Sequence, residues 1–220
     1  MNRRPTVLAA ITLTTVTALC LSACGNDNDD KAGDSNGKIA GAATGDGQSA
    51  SPETSPSAVS GRPKIELPAD LTYTFEWPKT GNAEKDAVLS DSEQSIKAVD
   101  LAIVNQNALD KAYLFYYEGE AAAGTQKFVQ NYVDHDAAVT GAYRFYNPEL
   151  TLGKDGAASL SYCEDQGKAY VKYLKTKKIK KTPVTAKSYV VYHTSLKRNG
   201  EGVWVIEKIV SQSGSAKCQP

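Results

Sequence analysis

After residue 136 the apolar residues of this chain switch from helical to alternating spacing, and that switch limits the fold more than any other feature. Upstream the spacing is helical. Leu89, Ile96, Val99 and Ile103 share one face of "NAEKDAVLSDSEQSIKAVDLAIVNQN", with Asn82, Glu84 and Asp86 suiting its N-terminus. Ser90 followed by Glu93 offers a second capping box, which predicts a break there. "ALDKAYLFYYEG" reads as a second helix ended by Gly119, and "TQKFVQNYVDHD" as a third, with Phe128, Val129, Tyr132 and Val133 on one side. Downstream the pattern alternates. "RFYNPELTL" and "AASLSYCED" flank the turn Gly153-Lys154-Asp155-Gly156, then come "KAYVKYLK", "VTAKSYVVYHTSLK" and "GVWVIEKIVSQ". Asn199-Gly200 between the last two is a hairpin signal. A brief strand, "LTYTFEW", precedes the first helix and stops at Pro78. Helices gathered before a run of strands predict an α+β domain with an antiparallel sheet.

That pattern begins only near residue 69. From Gly25 to Pro68 the chain is Gly, Ala, Ser, Asp, Asn and Pro with almost no large apolar side chain, as in "GDSNGKIAGAATGDGQSASPETSPSAVSG". Such a stretch cannot bury enough surface to offset its ordering entropy. It predicts a disordered tether with an r.m.s. reach of roughly 35–40 Å, or a Ser/Thr/Pro stalk carrying sugars.

The start of the chain reads as an export signal. Arg3 and Arg4 precede an apolar run from Thr6 to Leu21, which is short against the roughly 20 residues a membrane span needs. Leu21-Ser22-Ala23-Cys24, followed by Gly25, resembles the lipobox of bacterial lipoproteins. That resemblance implies cleavage before Cys24 and a diacylglyceryl thioether on its sulfur, with palmitate-type chains. The alternative is an ordinary secretory signal with Cys24 incidental. A lipid bilayer is then the first partner, since two acyl chains give stable anchoring. The expected location is the extracytoplasmic face of the cell membrane, with residues 1–23 the signal, 24–68 the lipidated tether and 69–220 the domain. Asn2-Arg3-Arg4-Pro5 is a weak twin-arginine match, so the export route stays open.

Charge excludes one class of partner. With 25 basic and 25 acidic residues in the precursor, loss of Arg3 and Arg4 leaves 23 against 25, a net charge of −2. Nucleic-acid binding domains are strongly basic instead. Of the four cysteines, Cys20 leaves with the signal and Cys24 is the anchor. Cys163 and Cys218 remain, and two thiols in an exported domain pair as a disulfide; the alternative is two free buried thiols. Neither histidine stands at zinc-site spacing from them, so no metal is expected.

The order of elements, Trp204 in "GVWVIEKI", and "YCED" with a partner cysteine near the end resemble the cone-shaped, cystatin-like or nuclear-transport-factor-two-like fold. The resemblance covers roughly residues 70–218 and is similar to small lipoproteins of high-GC Gram-positive bacteria. It implies helices packed into a curved antiparallel sheet, with the "LTYTFEW" strand added. It also implies a pocket, which enzymatic members such as ketosteroid isomerases and polyketide cyclases furnish with an acid or an acid–histidine pair. No catalytic residue carries over, because none matches by motif. Asp134-His135-Asp136 reads as a solvated helix end. His193 shares a strand face with Tyr189 and Val191, and either lines the pocket or is a satisfied residue of a half-buried sheet. Candidate pocket residues are therefore His193, Tyr189 and Tyr132.

Tyrosine is abundant, 12 residues against four Phe and two Trp, which suits ligand pockets and interfaces as well as a curved sheet with one wet face. "KTKKIKK" carries Lys175, Lys177, Lys178, Lys180 and Lys181. These either meet an anionic surface or guard a sheet edge. No Ser/His/Asp arrangement, phosphate loop or HExxH occurs, and no cofactor is expected. The leading expectation is a non-catalytic, membrane-anchored module that binds an envelope protein or a small apolar ligand. The alternatives are a cone-fold enzyme working by proton transfer through His193 or Asp134, and a spacer without ligand.

Overall fold

Asn82 turns the chain from extended to helical: its Oδ1 accepts from the Glu84 and Lys85 N–H groups, each at 3.0 Å. Helix α1 (Ala83–Val104) follows without interruption. The capping box expected at Ser90 is not used. Val88, Leu89, Asp91, Ser92 and Ser95 are all buried, so both sides of the expected break pack inward, and leaving the helix there would expose them. The computed structural model describes residues 61–220; the expected signal, Cys24 and the expected tether up to residue 60 lie outside the described residues. Within 61–68 the chain runs along the domain: Ile65 and Leu67 pack on the core, and Arg62 pairs with buried Asp91 of α1.

The second expected helix lasts one turn, α2 (Lys111–Leu114). Tyr116 and Tyr117 leave it to run beside the last strand, where Tyr116 O accepts from Ile206 N at 2.8 Å and Ile206 O accepts from Glu118 N at 3.0 Å. Backbone pairing with a sheet edge displaces helical pairing there. Gly119 consequently does not end a helix; it opens α3 (Gly119–Asp134).

The strands are β1 (Leu71–Phe75), β2 (Ala137–Leu152), β3 (Ala157–Tyr173), β4 (Ile179–Lys180), β5 (Tyr189–Arg198) and β6 (Trp204–Ser213). They form one sheet in the order β1-β2-β3-β5-β6, with β4 also paired to β3. All pairs are antiparallel except the added strand: β1 runs parallel to β2. "AASLSYCED" and "KAYVKYLK", expected as two strands, are one. Gly167 between them makes an irregularity rather than a turn, its N–H donating to Asp165 Oδ1 at 2.8 Å.

Curvature has local causes. Register shifts occur in β2 between Ala142 and Arg144 and between Tyr146 and Glu149, and in β5 between Ser195 and Leu196. At Gly141 φ is +101°, and a Cβ would lie 2.1 Å from Lys168 O; only glycine allows the two strands to close there. Helices α1 and α3 pack over the concave face against β2 and β6. The resulting α+β, cone-like domain has Trp204, Tyr113, Tyr116, Ile103, Leu160, Leu196 and Ile206 fully buried between sheet and helices.

Candidate functional site

Strand alternation sorts the side chains onto two faces. Tyr162, Tyr192 and Ser211 form one cross-strand row, and Phe145, Glu164 and Val190 another; both face the helices. Ser161, His193 and Val210 form an intervening row on the opposite, convex face, as do Tyr146, Cys163, Val191 and Gln212.

This corrects two of the three expected pocket residues. Tyr189, Val191 and His193 do share a face, but it is the convex one. His193 is exposed, its Nδ1 2.7 Å from Ser161 Oγ, and Tyr189 packs beside the Cys163–Cys218 pair. The residue of β5 that enters the pocket is Tyr192, one position along. In "YVVY" both parities carry a valine and a tyrosine, so nothing local tells which face meets the helices. Tyr132 of α3 lies at the cavity.

The cavity lies between the helices and the concave face and measures about 430 Å³, within the range of small-molecule sites. Helix α1 contributes Ile96, Val99 and Asp100; α3 contributes Thr125, Phe128 and Tyr132. The sheet adds Tyr143 and Phe145 from β2, Tyr162 and Glu164 from β3, Tyr192 from β5 and Ile209 from β6. Exposed Phe128 and Gly124 stand at the mouth. No Lys, Arg or His is among the lining residues, and the described residues hold no cluster able to bind a metal.

Two carboxyls therefore face an aromatic interior without a basic partner there. Tyr73 OH donates to Asp100 Oδ2 at 2.6 Å. Burial pushes the Asp100 carboxyl up to about 7, with the Glu164 charge adding to it and the Tyr73 hydrogen bond opposing it. Glu164 is 6% exposed, and Gln166 Nε2 donates to its Oε2 at 3.0 Å. Burial raises its carboxyl too, against its hydrogen bonds and with the Asp165 charge. The tyrosines stay neutral: burial lifts Tyr132 to about 12, and Tyr73, Tyr143, Tyr162 and Tyr192 well above their ordinary range. Near pH 7 the Asp100 carboxyl is half-protonated, and beside it the site offers Glu164, shifted toward its neutral form by burial, with phenolic hydroxyls and ring surfaces.

Sequence reasoning missed Asp100 and Glu164, although each left a signal. Asp100 follows Ile96 and Val99 on the apolar side of α1, and Glu164 stands two residues from Tyr162 on one strand face. An acid inside an apolar stripe is the unusual feature in both.

The remaining sequence candidates lie elsewhere. Cys163 and Cys218 stand in disulfide geometry, Cα atoms 5.4 Å apart, joining β3 to the turn after β6; Tyr146 OH donates to Cys218 O beside them. His135 ends α3 with Nδ1 2.7 Å from Asn131 O, Asp134 Oδ1 accepts from Gln130 at 2.7 Å, and Asp136 takes Lys175 at 2.5 Å. None of the three is at the cavity. Lys177, Lys178, Lys180 and Lys181 are exposed on and around the two-residue strand β4, with Lys181 Nζ 5.7 Å from the Tyr170 ring centroid.

No family model matches the chain, and no curated protein matches it. Among solved structures, it is similar to a ketosteroid isomerase-like protein from Erwinia carotovora atroseptica, at 12% identity and TM-score 0.43, over 61% of this chain and 98% of that one. It is also similar to ActVI-ORFA from Streptomyces coelicolor, at 12% identity and TM-score 0.41, over 60% and 98% of the two chains. An NTF-2-like protein of unknown function from Shewanella oneidensis matches at 16% identity and TM-score 0.35, over 56% and 97%. At such identities and scores no activity carries over to this chain.

Proposed function

We propose that this chain is a lipid-anchored extracytoplasmic protein whose domain binds a small, largely apolar ligand in the tyrosine-lined cavity. One observation carries the binding reading: a cavity of about 430 Å³ lined by aromatic rings, with Asp100 and Glu164 directed into it and unmatched by any lining base. A purely structural core would fill that volume and exclude both acids. Support for the anchor comes from Leu21-Ser22-Ala23-Cys24 and the polar stretch behind it. The exposed lysines from Lys177 to Lys181 suit contact with anionic lipid headgroups.

Titration with the neutral probe N-phenyl-1-naphthylamine tests the cavity. Saturable one-to-one fluorescence enhancement is expected, and it should vanish in Gly124→Trp, since a Cβ at Gly124 meets nothing within 4 Å and the indole would block the mouth. No saturable binding by the wild type would refute the reading. For the anchor, Cys24→Ala is expected to move the protein from the membrane to the soluble fraction.

A second reading has its own support. Asp100, with its carboxyl raised to about 7 and an adjacent Tyr73 donor, has the properties of a general base. If the cavity processes a carbonyl compound by proton transfer, deuterium exchange at the carbon beside the carbonyl should be lost in Asp100→Asn while binding persists. His193 and Asp134, outside the cavity, have no part in it.

A further inference from the structure

Every ionisable side chain lining the cavity is an acid or a phenol. Asp100 enters from α1 and Glu164 from β3, on opposite walls. The groups facing them are known from each element. Tyr73 comes from β1, Tyr143 from β2, Tyr162 from β3, with Asp165 next in sequence to Glu164, and Tyr192 from β5. Tyr117 comes from the segment after α2 and Tyr132 from α3. Strand β6 contributes Ile209 and Ser211, which do not titrate. The nearest described lysine of α1, Lys97, is directed elsewhere, with its Nζ 5.0 Å from the Phe75 ring centroid and 3.8 Å from Glu93.

From this arrangement we infer that the cavity selects an organic cation, an amine or quaternary ammonium on an apolar body, held between Asp100 and Glu164 among the tyrosine rings. The inference rests on the binding reading above and narrows its ligand class. Aromatic rings attract a desolvated cation through their quadrupoles, and a buried carboxylate is stable only with a positive partner. Without a positive partner beside them, burial holds both acids toward their neutral forms. A bound cation reverses that balance, so Asp100 and Glu164 ionise as the ligand enters and release protons.

Calorimetry on the full mature chain tests this with two probes of one shape: benzyltrimethylammonium and its uncharged carbon isostere, neopentylbenzene. The cation should bind at least tenfold tighter than the isostere. Its affinity should rise about tenfold or more from pH 5.5 to 8. Titrations near pH 6.5 in two buffers of different ionisation enthalpy should show net proton release, and all these protons come from the protein because the probe carries none. Asp100→Asn and Glu164→Gln should each weaken the cation about tenfold relative to the isostere and reduce proton release. The wild-type pH profile stands alone if a variant fails to fold. Equal or tighter binding of neopentylbenzene overturns the cation inference and leaves the cavity reading intact. Binding of neither probe overturns both.

Discussion

Asp100 has an ionisation near pH 7 in the folded chain against an ordinary value of 3.8. Between those two values the folded state holds a proton that the unfolded state has lost. Raising pH through this window therefore removes stability, and the loss is complete above about pH 7. Its ceiling is on the order of 4 kcal/mol. Asp100→Asn, which keeps an acceptor for Tyr73, is expected to raise Tm more at pH 8 than at pH 5; equal gains at both would contradict the burial of this acid. A second residue-scale expectation concerns Gly141. With φ at +101° and a Cβ 2.1 Å from Lys168 O, Gly141→Ala should cost at least about 2 kcal/mol in chemical denaturation. A loss under 0.5 kcal/mol would show that the two strands separate freely at that point.

At the scale of elements, the segment just before β1 acts as part of the domain. Asp91 is 1% exposed, accepts from Trp204 N at 2.9 Å and pairs with Arg62, so one carboxylate ties residue 62, α1 and β6 together. Arg62→Ala leaves that charge without its cation and should destabilise by about 3 kcal/mol, whereas Lys64→Ala, in an exposed pair, should change stability by less than about 0.5 kcal/mol. Comparable losses for both would refute the tie. The switch from helical to alternating spacing made the α+β order readable, and Asn82 marked the start of α1 correctly. Other elements were hidden by competition the local sequence does not carry. Tyr116 and Tyr117 leave α2 because Ile206, 90 residues on, offers backbone partners. Gly167 separates the two stretches expected as strands, yet β2 pairs on either side of it, Arg144 with Asp165 and Ala142 with Lys168, and holds β3 continuous. Of the cavity, Tyr132 was legible from its helix face; Tyr192 becomes a neighbour of Tyr162 and Glu164 only through cross-strand register.

For the whole molecule, the convex face is fastened where the concave face is open. The Cys163–Cys218 pair spans 55 residues, and its reduction should lower stability by roughly 4 kcal/mol on the chain-entropy account. Because it lies on the side of the sheet away from the cavity, reduction at temperatures well below Tm should leave probe affinity within about twofold; a larger change would mean that the two faces are linked. A domain closed at its back and hollow under its helices is suited to hold a ligand, and on the proposed Cys24 anchor it would hold that ligand outside the membrane. Native mass spectrometry of the mature protein, purified gently from its own membranes, tests that most directly. A small bound species is expected on the wild type, released on denaturation and absent from Gly124→Trp. A wild type carrying no such species, or the same adduct on Gly124→Trp, would overturn the ligand-binding reading.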